Sequence, residues 1–276
     1  TRAIWQAHIG TDENKQRAFR TPPQRRGTLL VAGLGSLGSV AAQQFVPWVE
    51  RLVLVDPDRV ELANLVRQAY SYRQLGMAKA TALAQRLGDV HPGLVCKAVV
   101  ASLTDDDQVA ELIARYGVMA ALVTTGTHAD FAIARALRAA PIPHVVGRCY
   151  ARARFWEGIV VDGGAGPSYE QVRRQVAAGP TPAPTPEEVA AYGAVGELVG
   201  EPATLMETGW AAMWLARLTM QMMTPTTLRE GWLLARLAAG ATCFVGGLVV
   251  EQGSDGAAYG VTVPGEAHAW SVEEIG

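Results

Sequence analysis

A glycine-rich turn, with the sequence GLGSLG, follows a short apolar run and precedes a run with helical character. Its glycines are Gly33, Gly35 and Gly38; the apolar run is Thr28–Ala32, and the helix is expected from Ser39 to about residue 48. Gly33 would allow a tight turn, Gly35 would let the backbone approach a phosphate, and Gly38 would let the helix pack close to the strand. Because the free N–H groups at a helix start attract anions, this arrangement predicts a phosphate site.

An acid follows the next predicted strand, Arg51–Val55. Asp56 stands about 20 residues beyond the turn, the spacing at which a carboxylate commonly holds the two hydroxyl groups of a ribose. The turn and Asp56 together predict a nucleotide site, but they do not choose between nucleotides. A nicotinamide-dependent oxidoreductase that uses NAD is one function that they allow.

Several polar and charged residues follow Asp56 in the sequence. The pyrophosphate of a dinucleotide does not require these additional cations and amide donors, whereas a triphosphate carries about four negative charges and suits them better. The set therefore favours ATP over a nicotinamide cofactor. Its members are Asp58, Asn64, Arg67, Gln68 and Lys79.

The order of these residues resembles that of the E1-like adenylating enzymes of the ThiF and MoeB type. That family shares a glycine turn, the pattern D-x-D-x-V-x-x-x-N-x-x-R-Q and a following G-x-x-K, which this chain matches at residues 56–68 and 76–79. The resemblance is close over residues 28–125 and holds in outline beyond them. The combined pattern is specific, whereas the glycines alone would be a weak signal.

The resemblance implies a role for each of these side chains. Asn64, Arg67 and Lys79 would be catalytic, with the two cations along the phosphates. A carboxylate from the end of another polypeptide would attack the α-phosphorus and pyrophosphate would leave, so positioning and fixed charge would supply the catalysis. The nucleotide would be bound by Gly33, Gly35, Ser36, Gly38, Asp56, Asp58 and Gln68.

The resemblance also implies partners and cofactors. The expected substrate is the C-terminal carboxylate of a small ubiquitin-like or sulfur-carrier protein, or of a ribosomal peptide, and the expected cofactors are ATP and Mg²⁺. Because relatives pair through the sheet, a homodimer is expected. The alternative from the same resemblance is an E1-like binding module that has lost catalysis and recruits a peptide or a protein partner.

The chain departs from the family pattern at the end of the fourth predicted strand. Relatives carry a magnesium-binding Asp there, in a D-x-T-D-N-like run, whereas residues 124–128 read TTGTH and Thr124 replaces the Asp. Magnesium would then be held by Asp56, Asp58 and the phosphates, because a neutral hydroxyl is a weaker ligand than a carboxylate. Adenylation would be slowed, altered or absent.

The cysteines depart from the pattern as well. No C-x-x-C occurs in the chain, which excludes the structural zinc site of many relatives. Residues 163–200, where thioester-forming relatives keep their cysteine, contain none, so we expect adenylation without an enzyme thioester. Cys149, just past the fifth predicted strand, is expected to be a small buried filler, as is Cys96.

Alternating apolar and helical runs predict the fold class. The expected fold is α/β, a Rossmann-like mixed sheet whose parallel nucleotide-binding half continues into antiparallel strands, with helices on both faces. Parallel strands are predicted at residues 28–32, 51–55, 94–100, 118–124 and 144–146, and helices at 79–87, 105–115, 129–139 and 205–223. An antiparallel continuation is predicted within 151–161, and late strands at 242–250 and 258–263, with an edge from His268.

One main domain is expected. Residues 1–27 would form an N-terminal arm and linker, and residues 28–276 an E1-like adenylation domain. Its nucleotide-binding half would be 28–148, and its substrate-facing half and connector 149–276. Within the second half, residues 163–200 contain four prolines spaced two apart and are expected to be an irregular, exposed connector.

Composition limits the classes of partner. With 276 residues, 49% hydrophobic and 18% charged, the chain can bury a full α/β core. A net charge of −2 gives no electrostatic footprint for nucleic acid or an anionic membrane. Charges interrupt the two most apolar stretches, which argues against membrane spans. Three scattered cysteines favour a reducing, cytoplasmic location.

Overall fold

The computed structural model describes residues 26–91, 93–150, 155–164, 166–178, 203–223, 241–247 and 267–271. Within these ranges the strands form one mixed sheet in the order β3-β2-β1-β4-β5-β6-β7-β8. The predicted strand at 258–263, the proline-rich run and nearly all of the predicted N-terminal arm lie outside the described residues.

The sheet has a parallel half and an antiparallel half, which confirms the predicted fold class. In the parallel half, β1 is central and pairs with β2 on one side and β4 on the other. Its strands are β1 Thr28–Ala32, β2 Arg51–Val55, β3 Val95–Val99, β4 Val118–Val123 and β5 His144–Tyr150. The antiparallel strands are β6 Phe155–Val161, β7 Ala241–Gly247 and β8 Ala267–Ser271.

Helices cover both faces of the sheet and divide the core in two. Alternate residues of β1 belong to opposite cores, since Leu29 and Val31 pack in one cluster and Leu30 and Ala32 in the other. One cluster includes α1 Gly38–Phe45, α2 Lys79–Val90 and α6 Leu205–Met223. The other includes α3 Asp106–Tyr116, α4 Ala129–Ala139 and α5 Tyr169–Ala178. No helix in the described ranges is both long and apolar enough to cross a membrane.

Helix α5 shows that one prediction was wrong, because it lies inside the stretch expected to be irregular. Ser168 starts it with a reciprocal cap: the Gln171 N–H donates to Ser168 Oγ (3.2 Å) and the Ser168 N–H donates to Gln171 Oε1 (2.7 Å). Over residues 169–174, the part of the helix whose burial is described, Tyr169 and Val172 are the buried side chains. The prolines that follow gave the stronger signal in the sequence.

Strand β5 is longer than predicted and places Cys149 inside the ladder, opposite Trp156 of β6, rather than after the strand. Gly147 faces Gly158 across the same pair of strands. A Cβ on Gly158 would lie 2.7 Å from Leu218 of α6, so this glycine pair opens the space in which α6 packs on the sheet. Local hydrophobic periodicity carries no trace of that contact.

The start of β5 provides a test of stability against pH. His144 is fully buried, with Nδ1 2.9 Å from the Ile142 carbonyl, and burial lowers the pKa of its imidazole to about 4. The unfolded imidazole titrates near 6.5. Between about pH 6.5 and pH 4 the folded state therefore binds fewer protons than the unfolded state does. The free energy of unfolding should therefore drop by up to about 3 kcal/mol over that window. Urea denaturation at several pH values measures this drop.

The variant His144→Asn should flatten that part of the stability profile, because Asn keeps a donor for the Ile142 carbonyl but does not titrate. The matched control is His128→Asn, since His128 is exposed in the loop before α4. Parallel profiles for His144→Asn and the wild type would contradict a neutral buried imidazole.

Candidate functional site

A cleft opens at the carboxyl ends of β1, β2 and β4. Strands β2 and β4 lie on opposite sides of β1, so the strand order reverses at β1. Ligands of open α/β sheets bind at such a switch point. The cleft is lined by Ala32, Gly33, Gly35, Val55, Asp56, Pro57, Asp58, Lys79, Ala101, Ser102, Leu103, Thr124, Thr125, Thr127, Ala129 and Ile133.

The glycine turn closes one side of this cleft and is packed against the end of β4. Gly33 has a φ of 84°, which favours glycine, and a Cβ there would lie 2.5 Å from the Thr124 carbonyl oxygen. A Cβ on Gly38 would collide with the Gly33 carbonyl and approach Thr124 Oγ1 to 2.7 Å. Gly35 differs, because nothing lies within 4 Å of its Cβ position. Two glycines thus serve close packing, and one leaves open space at the cleft.

Asp56 joins the glycine turn to the end of β2. Its side chain is almost completely buried, and Oδ2 accepts the Leu34 N–H at 2.6 Å while Oδ1 accepts the Asp58 N–H at 2.8 Å. A carboxylate oxygen has two acceptor positions, so each retains one for a ligand. The sequence pattern predicted Asp56 at the cleft but not its two bonds to backbone.

Lys79 places a buried positive charge in the cleft wall. Its Nζ lies 2.8 Å from Asp58 Oδ2, and the Lys79 side chain is 8% exposed whereas that of Asp58 is 63% exposed. The Lys79 N–H also donates to the Asp58 carbonyl (2.8 Å), which fixes the start of α2 beside this segment. The pair explains how an ammonium group is buried here, because an unpaired one would cost several kcal/mol.

The predicted residues Asn64, Arg67 and Gln68 lie outside the cleft lining. Asn64 is buried and its Oδ1 accepts the Glu61 N–H (3.1 Å), which caps a short 3₁₀ turn. The Arg67 Nη1 donates to the Ala63 carbonyl at 3.0 Å. Gln68 is buried, and its Oε1 has no hydrogen-bond partner among the described residues. Their predicted contacts with the nucleotide stay predictions.

Ser36 and Gly38 also lie outside the lining, one on the turn and one at the start of α1. Two side chains attach the 64–70 segment to this turn. Tyr70 Oη donates to the Leu34 carbonyl (2.8 Å), and Ser39 Oγ accepts the Ala69 N–H (3.0 Å) while donating to the Gly35 carbonyl (2.6 Å). Burial, and then the charges of Asp56 and Asp58, raise the pKa of Tyr70, so its hydroxyl stays protonated as a donor. No spacing in the sequence pointed to these contacts.

Cys149 and Cys96 are poor nucleophiles. Burial raises the pKa of the Cys149 thiol to about 11, while the charge of Arg67 acts in the opposite direction. Burial also raises the pKa of Cys96 to about 11. Because the thiolate is the reactive form, both thiols are unsuited to form a thioester near neutral pH.

The opposite wall of the cleft is formed by the loop between β4 and α4. Thr124 Oγ1 donates to the Gly33 carbonyl (2.8 Å), so this side chain holds the glycine turn. Thr125 and Thr127 are linked to Asp130, a fully buried acid that the sequence analysis did not single out. Within the described ranges, no three or more His, Cys, Asp or Glu side chains come together as a metal-binding group.

The chain is similar to known proteins over most of its length. The model of the ThiF family matches residues 23–247 of the chain. The chain belongs to the ThiF family. The match covers both halves of the sheet as far as β7, so the resemblance extends beyond the motif at residues 56–79.

Curated relatives match a short part of this ThiF-family chain. Ubiquitin-like modifier-activating enzyme 5 of Arabidopsis thaliana is 36% identical over 81 residues, which is 29% of this chain and 19% of the relative. The Bombyx mori enzyme of the same name is 34% identical over 84 residues, 30% of this chain and 21% of the relative. The matched region therefore spans about a fifth of the length of these relatives.

Solved structures share the fold of this ThiF-family chain over most of its length. The E. coli tRNA N6-threonylcarbamoyladenosine dehydratase TcdA, in complex with AMP, superposes with a TM-score of 0.55 at 19% identity, covering 80% of this chain and 96% of that chain. E. coli MccB with ATP gives a TM-score of 0.58 at 12% identity, covering 90% of this chain and 64% of that one.

Proposed function

We propose that this ThiF-family chain binds ATP in the cleft and adenylates the terminal carboxylate of a small ubiquitin-like or carrier protein, or of a ribosomal peptide. The observation that carries the proposal is the buried Lys79 ammonium, held by Asp58 in the wall that faces the glycine turn. Cofactor-dependent hydride transfer needs no such cation. A triphosphate does, because its charge must be offset when it leaves water.

The cleft suits a chain of phosphates in two further respects. An ammonium group has three N–H donors and Asp58 takes one, so Lys79 retains donors for phosphate oxygens. Its burial lowers the local dielectric and strengthens each contact with an anion. The open space at Gly35 allows a phosphate to approach backbone N–H groups closely.

The reaction would form one bond and break one bond at phosphorus. A carboxylate oxygen of the substrate attacks the α-phosphorus, and the bond from that phosphorus to the bridging oxygen breaks, so pyrophosphate leaves with the electron pair. The product is an acyl adenylate. Lys79 would offset charge on the departing phosphates, and Asp56 would orient the ribose, so that no protein nucleophile is required.

The predicted roles of Asn64, Arg67 and Gln68 belong to this proposal as well. Their segment is tied to the glycine turn by Tyr70 and Ser39, which keeps it beside the phosphate end of the cleft. Their side chains would turn towards the nucleotide on binding. Mg²⁺ would supply further positive charge at the phosphates, and Asp58 and the loop hydroxyls are oxygen donors of the kind that it takes.

The substrate class rests on the relatives. Ubiquitin-like modifier-activating enzyme 5 acts, by its name, on ubiquitin-like modifiers, and one MccB structure contains an ATP analogue with MccA. A net charge of −2 is not the excess of positive charge typical of tRNA-binding proteins, which favours a polypeptide carboxylate. The homodimer, the cytoplasmic location and the division into 28–148 and 149–276 are proposed alongside this function.

A binding module is the second candidate, and one observation favours it. Thr124 follows β4 at the position where the family pattern has a magnesium-binding Asp. Such a module would bind nucleotide or peptide without exchanging pyrophosphate.

Replacement of Lys79 tests the proposal. Lys79→Met keeps the length of the side chain and removes its charge, so ATP affinity should fall about ten- to a hundredfold, as expected for a lost charge-assisted hydrogen bond. Titration calorimetry with ATP measures the change. The matched control is Lys97→Met, since Lys97 is an exposed lysine on edge strand β3, outside the cleft lining.

The remaining outcomes separate the candidates. Equal ATP affinity in Lys79→Met and the wild type would contradict the proposed site, and tight NAD binding without ATP binding would favour an oxidoreductase. Pyrophosphate exchange is then measured with a ubiquitin-like protein and with short peptides that have free carboxyl ends. Exchange that depends on Lys79 supports the enzyme, whereas ATP binding with no exchange in the whole set favours the binding module.

A further inference from the structure

A series of largely buried charges runs from the cleft wall to helix α5. Its first member is Asp130, near the start of α4, which is fully buried. Asp130 Oδ1 accepts the Thr125 hydroxyl (2.6 Å) and the Thr125 N–H (3.2 Å), and Thr125 lines the cleft. One carboxylate oxygen therefore holds both the backbone and the side chain of a cleft residue.

The other oxygen of this carboxylate is held by strand β5. Arg148 Nη2 donates to Asp130 Oδ2 at 2.9 Å, and the Arg148 side chain is 20% exposed. A fully buried carboxylate needs such a cation, because burial without one strongly disfavours its ionised form. Arg148 is not among the residues that line the cleft, so its link to the cleft wall runs through Asp130.

A second ion pair stands beside the first. Arg148 is directly opposite Glu157 of β6 in the antiparallel ladder, and residues opposite each other in such a ladder have their side chains on the same face of the sheet. Arg173 of α5 donates from Nη1 to both carboxylate oxygens of Glu157, at 2.9 and 3.0 Å. Burial raises the pKa of the Tyr169 hydroxyl, and the charged groups of both pairs lie close enough to act on that pKa. Arg148 thus lies between two buried carboxylates, one on α4 and one on β6.

We propose that Arg148 is a positioning residue of the nucleotide site, which fixes Thr125 in the cleft wall through Asp130. The inference rests on the proposed binding of ATP in this cleft. Without the guanidinium group, an ionised Asp130 would be buried without a cation and would move towards water, taking the Thr125 backbone with it. Thr125 follows Thr124, whose hydroxyl donates to the Gly33 carbonyl, so a shift of this segment would also disturb the glycine turn.

The test measures ATP affinity by titration calorimetry, at a temperature well below the unfolding transition of every variant. Arg148→Met should weaken ATP binding about tenfold, a typical coupling between residues that act through a shared neighbour. Arg148→Lys keeps the charge and should retain most of the affinity. The matched control is Arg135→Met, because Arg135 also belongs to an ion pair of α4, with the exposed Asp106, but its partners lie on neighbouring helices and not at the cleft. That variant should bind ATP as the wild type does.

A double-mutant cycle with Asp130→Asn decides whether Arg148 acts through this carboxylate. Asparagine keeps an oxygen for the Thr125 donors and needs no cation, so in that background Arg148→Met should cause little further loss of ATP affinity. The double variant also buries no unpaired charge, so it serves where Arg148→Met alone does not fold.

Two results would overturn the inference while leaving the proposed function intact. One is wild-type ATP affinity in Arg148→Met. The other is a tenfold loss from Arg148→Met in both backgrounds, since independent losses would mean that Arg148 does not act through Asp130. No ATP binding by the wild type would refute the proposed function and this inference with it.

Discussion

Replacing Gly38 by alanine is expected to destabilise the protein by about 3 kcal/mol or more, since the new methyl group meets atoms that cannot move aside. Its Cβ would collide with the Gly33 carbonyl and lie 2.7 Å from Thr124 Oγ1. That hydroxyl is itself bonded to the Gly33 carbonyl, so relief would require the turn and β4 to separate. Urea denaturation followed by circular dichroism measures the loss.

Gly35→Ala is the matched control, because the same methyl group added three residues earlier in the same turn meets nothing within 4 Å. We expect wild-type stability for Gly35→Ala, together with ATP affinity about tenfold weaker, since the methyl group stands where a phosphate approaches backbone. The two glycines thus separate folding from binding. A wild-type unfolding midpoint for Gly38→Ala, or wild-type ATP affinity for Gly35→Ala, would refute the corresponding role.

Local patterns in the sequence were sufficient for most of the fold. Helix α4 and helix α6 begin and end where the sequence predicted, and strands β1, β2 and β4 follow largely apolar runs. Each of these elements buries enough side chains for its period to be visible along the chain. Helix α5 was missed because the run of prolines that follows it gave the stronger local signal.

The site was predictable only in part, because side-chain direction depends on contacts far apart in sequence. The motif grouped Asp56, Asp58 and Lys79, and all three line the cleft, while their contacts with a nucleotide stay predictions. Tyr70 reaches Leu34 across 36 positions, and this bond between distant residues helps to decide where the segment containing Asn64 and Arg67 lies. Motif spacing carries no information about such a bond.

The sequence did not predict what the side chain of Thr124 contacts. A motif aligned by position shows which residue type has changed, but not where the hydroxyl points. In the fold the Thr124 hydroxyl donates to the Gly33 carbonyl, while Thr127 Oγ1 accepts the Ala129 N–H. The neighbouring Thr125 hydroxyl donates to Asp130, which pairs with Arg148 of β5, and no spacing in the sequence predicts that contact.

Asp56→Asn is expected to weaken ATP binding about a hundredfold and to lower the free energy of unfolding by about 1–3 kcal/mol. An amide has one oxygen and one NH₂ group, so one of the two N–H groups, of Leu34 or Asp58, would face a donor instead of an acceptor. The structural matched control is Asp105→Asn. Asp105 also accepts two backbone N–H groups, from Asp107 (3.0 Å) and Gln108 (3.1 Å), but it is exposed at the start of α3 and outside the cleft lining.

Inorganic tripolyphosphate distinguishes the two proposed roles of Asp56, holding the glycine turn and contacting the ribose, because it has phosphates but no ribose. If Asp56 both holds the turn and contacts the ribose, Asp56→Asn should reduce tripolyphosphate affinity by about tenfold and ATP affinity by about a hundredfold, and the difference measures the ribose contact. Equal losses for the two ligands would show that Asp56 acts only through the Leu34 and Asp58 N–H groups. In that case the ribose is held elsewhere in the cleft, and the predicted role of Asp56 is wrong.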